Sequence, residues 1–130
     1  MRVDEIALTI PADEAFNGVA HLVLGGLAMR LDLTFETLED LELALDALLG
    51  RRSEADGDTT VRVRVAEDEL RTLVGPFHAD VRDELDREAN ALLGLRRILE
   101  TVTDGIVVSD GEGGQWVELT KLRKQHKVSA

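Results

Sequence analysis

The run Val61-Arg62-Val63-Arg64-Val65 puts three valines on one side of an extended chain and two arginines on the other. Successive side chains of a strand point to opposite faces, so this is a strand with one buried face and one wet face. A parallel sheet covered on both sides is therefore not expected, and the covering layer is expected on the valine side. Ile6, Leu8 and Ile10 alternate in the same way with Ala7 and Thr9. Leu70, Thr72 and Val74 follow after the AEDE turn as a hairpin partner, and Gly75-Pro76-Phe77 is expected to break that strand. Two further strands, Ile106–Val108 and Trp116–Thr120, flank the glycine-rich SDGEGG, which reads as a hairpin turn.

Between these strands the apolar period changes to that of a helix. Pro11 can open a helix, with Asp13 and Glu14 in the first turn, where the helix dipole favours acids. Phe16, Val19, Ala20, Val23, Leu27 and Leu31 then follow helical spacing. Gly25 and Gly26 inside this stretch cost roughly 1 kcal/mol each relative to alanine, which implies either close packing against a neighbour or a kink. A second helix runs from Thr34 or Thr37 to Gly50, with Thr37 and Asp40 as a capping-box variant. Val81, Leu85, Ala89 and Leu92, then Leu95, Ile98, Leu99 and Val102, describe one long helix or two, broken near Gly94.

The order is strand, helix, helix, strand, strand, helix, strand, strand. It predicts an α+β fold, a two-layer sandwich. The sheet is expected to be mixed and largely antiparallel, with about five strands, and the helices at roughly 12–31, 35–50 and 79–101 to cover one face. We expect one domain over 1–122 and a basic tail over 123–130.

Composition narrows the function. The 130 residues carry a net charge of −11, and residues 1–50 hold ten acids against Arg2 and Arg30 alone. Phosphate backbones are repelled by such a surface, so nucleic acid is not the expected partner. A basic protein surface fits better. No apolar run approaches a membrane span, the acidic start does not resemble a signal peptide, and cysteine is absent. A cytoplasmic protein without thiol chemistry is expected. His21, His78 and His126 are scattered, no pair of them has helical metal-ligand spacing, and DGD at 56–58 lacks the rest of a calcium loop, so no metal site is expected. There is no phosphate-binding GxxxxGK[ST] loop and no GxSxG elbow.

One edge of the second helix stands out. Leu41, Leu45, Leu48 and Leu49 form its apolar face, and Glu42, Asp46 and Gly50 lie four apart along the border. Such a row is either a solvated flank or the remainder of a reaction centre. Arg51 and Arg52 beside Gly50 also suit a plain helix C-terminus.

The pieces IPADEAF, LEDLELALDALLGRR, ALLGLRRILETVTDGIVV and GGQWVELTKL, in this order, resemble the anti-sigma-factor serine kinases of bacteria. These are small members of the GHKL ATPase superfamily, which also holds histidine-kinase catalytic domains and gyrase. The resemblance covers nearly the whole chain and implies the histidine-kinase-like ATPase fold, homodimers, and binding to a sigma factor or a STAS-type anti-anti-sigma protein. In active members a glutamate acts as general base, and an asparagine four residues later holds the Mg²⁺ that bridges the ATP phosphates. Asp46 matches the glutamate and is one methylene shorter, about 1.5 Å in reach. Gly50 matches the asparagine and has no side-chain oxygen. The D-x-G-x-G motif whose aspartate reads adenine is replaced by Leu73, Val74, Gly75 and Pro76. The third motif keeps Gly94, with Leu92 in place of its first glycine.

The expectation is a degenerate member of that family: a regulatory binding module with a decayed ATP site and no cofactor. The alternatives are an ATP-dependent serine protein kinase with an unorthodox site, using ATP and Mg²⁺ with Asp46 as base and Gly94 against phosphate, and a structural or dimerisation domain.

Overall fold

A computed structural model describes residues 4–11, 13–30, 33–52, 56–66, 68–87 and 94–122. Among these residues, five strands run in chain order as β1 (Asp4–Ile10), β2 (Thr59–Val65), β3 (Glu69–Phe77), β4 (Gly105–Gly111) and β5 (Gly114–Leu122). The helices among them are α1 (Asn17–Arg30), entered through a 3-10 turn at Glu14–Phe16, α2 (Phe35–Leu49), α3 (Val81–Arg87) and α4 (Leu95–Val102).

The sheet order is β1-β2-β3-β5-β4, and every neighbouring pair is antiparallel. The α+β expectation holds, with a purely antiparallel sheet in place of a mixed one. Val61, Val63 and Val65 are buried while Arg62 and Arg64 are exposed, as the alternation requires. Ile10, Leu70, Val74, Val117 and Leu119 join the valines in one core with Leu24, Leu41, Leu45, Leu48, Leu85 and Leu99 from the helices. The opposite face of the sheet carries Arg62, Arg64 and Arg71 in ion pairs with Glu5 and Glu69.

Four expectations need correction. Gly75-Pro76-Phe77 does not end β3; the strand continues to Phe77 through a cis Gly75–Pro76 bond, and its pairing with β5 shifts register between Val74 and Phe77. Thr34, not Thr37, caps α2: its Oγ1 accepts the Thr37 N–H at 3.1 Å, while Thr37 itself is buried and Asp40 pairs with Lys121 at 2.8 Å. The buried stripe of α1 is Ala20, Leu24, Leu27 and Ala28, whereas Phe16 and Val19 are exposed. This helix is apolar nearly all round, so its periodicity does not choose a face. Gly25 and Gly26 sit in an unbroken helix, and among the described residues a Cβ at either would meet nothing within 4 Å, so no described element presses against them.

The third helical stretch is two helices, with Gly94 as the N-cap of α4. Residues 88–93, Leu92 among them, lie outside the described residues, as does the tail 123–130.

Candidate functional site

The site is built on the border of α2. Thr34 starts this helix, and Leu41, Ala44, Leu45, Leu48 and Leu49 bury its inner face. Leu45 is 1% exposed and Leu48 0%. With 100° per residue, that orientation turns the next positions outward, so Glu42 and Asp46 stand at the rim, one turn apart.

The two carboxylates share one partner. His21 projects from α1, its Nδ1 bonded to Glu42 Oε2 and its Nε2 2.6 Å from Asp46 Oδ1. Burial alone would lower the His21 pKa, but hydrogen bonds and charge from Glu42 and Asp46 outweigh it and hold it above the ordinary 6.5. The side chains of His21 and Glu42 are 29% exposed and that of Asp46 is 55% exposed. The carboxylates lie on opposite ring nitrogens and do not converge on a common point, and no group of three His, Asp or Glu among the described residues is arranged to hold a metal ion.

Gly50 stands one turn beyond Asp46, exposed at the C-cap of α2 in a right-handed helical conformation, φ −66° and ψ −15°. Its N–H donates to Asp46 O at 2.9 Å, and it offers no side-chain atom. The arginines that follow are anchors: Arg51 Nε donates to Glu84 Oε2 on α3 at 2.6 Å, and Arg52 Nη2 donates to Pro11 O at 2.9 Å. Gly94 is buried on α4, which packs against α2, and makes no side-chain cap. The Leu73–Phe77 stretch supplies no carboxylate; the Trp116 ring instead lies over Gly75 and Gly111, and its Nε1 donates to Glu112 O at 3.0 Å.

Asp46 and Gly50 thus sit together at one end of α2, as their spacing implies. His21 was missed because its partners lie 21 and 25 residues away on another helix. The available signal is that His21 is the only titratable residue of α1 before Arg30. An isolated ring on an apolar helix implies a partner elsewhere.

No family model matches the chain. Individual relatives do. A serine-protein kinase RsbW of Bacillus pumilus is 30% identical over 149 aligned positions, covering 97% of this chain and 90% of the relative. The Bacillus subtilis protein of the same name is 26% identical over 96% of this chain and 89% of its own length, and that of Listeria monocytogenes is 27% identical over 96% and 91%. The 149 aligned positions exceed the 130 residues here by 19, so the Bacillus pumilus protein carries at least that many residues with no counterpart in this chain. No helix among the described residues is long and apolar enough to cross a membrane. With this extent of similarity on an antiparallel α+β frame, the chain belongs to the RsbW family of anti-sigma-factor serine-protein kinases, within the GHKL ATPase superfamily.

Proposed function

We propose that this chain is an anti-sigma-like regulatory binding module that works through its surfaces, on a GHKL frame whose ATP site has decayed. The observation that carries this reading is the end of α2. The carboxylate at the base position, Asp46, is engaged by His21, and Gly50 offers no side-chain oxygen where the family holds magnesium. Magnesium takes oxygen ligands at about 2.0–2.1 Å in near-octahedral geometry, and a hydrogen side chain supplies none. The adenine-reading aspartate has no equivalent in Leu73–Phe77 either.

Two lost contacts of about 1–3 kcal/mol each weaken a micromolar site by about thirty-fold to more than ten-thousand-fold, at about 1.4 kcal/mol per decade. On this arithmetic a site of about 1 µM weakens to between about 30 µM and more than about 10 mM, so we expect no binding of ATP with Mg²⁺ tighter than about 30 µM. Isothermal titration tests it, and a tighter isotherm refutes it. Gly50→Asn alone should remain silent, because the adenine contact is still missing.

The partner is a sigma factor or a STAS-type anti-anti-sigma protein, by extension from the family. Affinity purification from the native cell with mass spectrometry should recover one of these, and recovery of neither overturns the assignment. We also propose a homodimer through the outer face of α1. Leu22 and Met29 are 78% and 87% exposed there, and apart from His21, which faces α2, the helix bears no titratable residue before Arg30. Two chains of charge −11 repel each other, so a shared contact favours the uncharged face. Leu22→Glu should convert a dimer to a monomer in sedimentation, and a monomeric wild-type chain refutes the dimer.

The names of the relatives favour a second reading, an ATP-dependent serine protein kinase. In that case Asp46 is the base, Gly94 meets phosphate, and ATP and Mg²⁺ are the cofactors; the same titration separates the two readings.

A further inference from the structure

A neutral imidazole has one N–H and one lone pair, whereas both ring nitrogens of His21 face carboxylate oxygens. Only the imidazolium satisfies both contacts. We propose that His21 is a proton-operated clamp between α1 and α2, in which the imidazolium donates one N–H to Glu42 and the other to Asp46, joining the helices and keeping the Asp46 carboxylate occupied. The clamp rests on these two contacts and on no reading of the nucleotide site.

Three observations support it. Glu42 and Asp46 are like charges four apart on one helix, an arrangement that is unfavourable by itself. A cation between them removes that repulsion. Next, α1 has no other charged group before Arg30 to fix it against α2. Finally, the charged surroundings are simple among the described residues. From α2 the groups facing His21 are Glu42 and Asp46. From β1, Ile6, Leu8 and Ile10 turn to the core, and Glu5 pairs with Arg62 and Arg64 on the far face of the sheet. In the turn before α1, the Asp13 carboxylate accepts the Ala15 N–H.

Proton loss sets a nitrogen lone pair against a carboxylate oxygen and leaves two adjacent anions without a bridge. The clamp then opens, α1 loosens on α2, and Asp46 is released. The His21 pKa is raised on folding, so the stabilisation is complete below the unfolded value near 6.5 and is lost as pH rises through the folded value. The exposed face of α1 is therefore held in a proton-dependent position.

The test is a pH titration of the His21 ring nitrogens by NMR, assigned with His21→Gln, together with amide exchange of α1 and the denaturant midpoint over the same range. Both ring nitrogens should be protonated below the transition, and the midpoint should lie above 6.5. Asp46→Asn and Glu42→Gln should each lower that midpoint. Protection of α1 and the denaturant midpoint should fall across the wild-type transition and stay flat in His21→Gln. If His21→Gln does not fold, the two amide variants still decide, because they keep the ring. Titration of His21 at or below 6.5, a midpoint unmoved by both amide variants, or α1 protection that ignores the transition overturns the clamp.

Discussion

Leu48 and Asp46 stand two residues apart on α2 and should respond to truncation with very different losses of stability. Leu48 is 0% exposed and lies in the core cluster with Leu45, Val61 and Leu99. Leu48→Ala loses the transfer energy of the side chain and leaves a cavity that its neighbours fill only in part, for a cost of about 2–5 kcal/mol. A domain of this size gives up roughly 3–5 °C of melting temperature per kcal/mol, so the loss should be about 6–25 °C. Against a total stability of about 5–15 kcal/mol, the larger values come close to unfolding the chain. Asp46→Ala removes one half-exposed contact to His21 and should cost about 0.2–1 kcal/mol, less at a pH where His21 is neutral. Urea titrations of the two variants, compared with wild type at equal slope, give both numbers. Equal destabilisation would show that the inner and outer faces of α2 are assigned wrongly.

Gly75→Ala should destabilise by about 1–3 kcal/mol, because its Cβ would lie 2.7 Å from two ring carbons of Trp116 and 3.0 Å from Gln115 O. Trp116→Leu in the same chain should recover part of that loss in thermal melts, and no recovery would mean that the ring is not the obstacle. Lys121→Ala should cost about 1–3 kcal/mol in urea titrations, since it strands the partly buried Asp40, and the double variant Lys121→Met, Asp40→Leu should cost less. Asp80 accepts the N–H of Asp83 at 3.0 Å at the start of α3 and a hydrogen bond from Gln115 at 3.1 Å. These bonds, the Asp83 one first, lower its pKa, so this stabilisation is present above the ordinary 3.8 and is lost as pH falls through the folded value. Asp80→Ala should therefore melt lower near neutral pH and lose that difference in acid.

The fold was legible where side chains carry a period. Val61, Val63 and Val65 against Arg62 and Arg64 set one wet face, and the hairpin pairs set antiparallel order. Three features were not. At Gly75-Pro76 the missing N–H of proline argued for a strand end, but a register shift between Val74 and Phe77 accommodates it. On α1, leucine, valine and alanine surround the helix, so only its neighbours decide that Leu24 faces in and Leu22 faces out. Thr34 and Thr37 were equivalent candidates for the cap, and burial of Thr37 separates them.

The candidate site divides along the same line. Asp46 and Gly50 were found because a four-residue spacing on one helix is local information. His21 was not, because no spacing rule links it to Glu42 and Asp46 across the α1–α2 contact. The site also separates cleanly from the fold. Asp46 and Gly50 lie at the exposed rim, while the adjacent Leu45, Leu48 and Leu49 are buried. Substitution at the rim costs little stability, whereas substitution one position inward costs several kcal/mol. The frame of α2 therefore depends on its buried leucines and not on the polar residues between them, and Asp46 and Gly50 can be substituted to test the site without unfolding the chain.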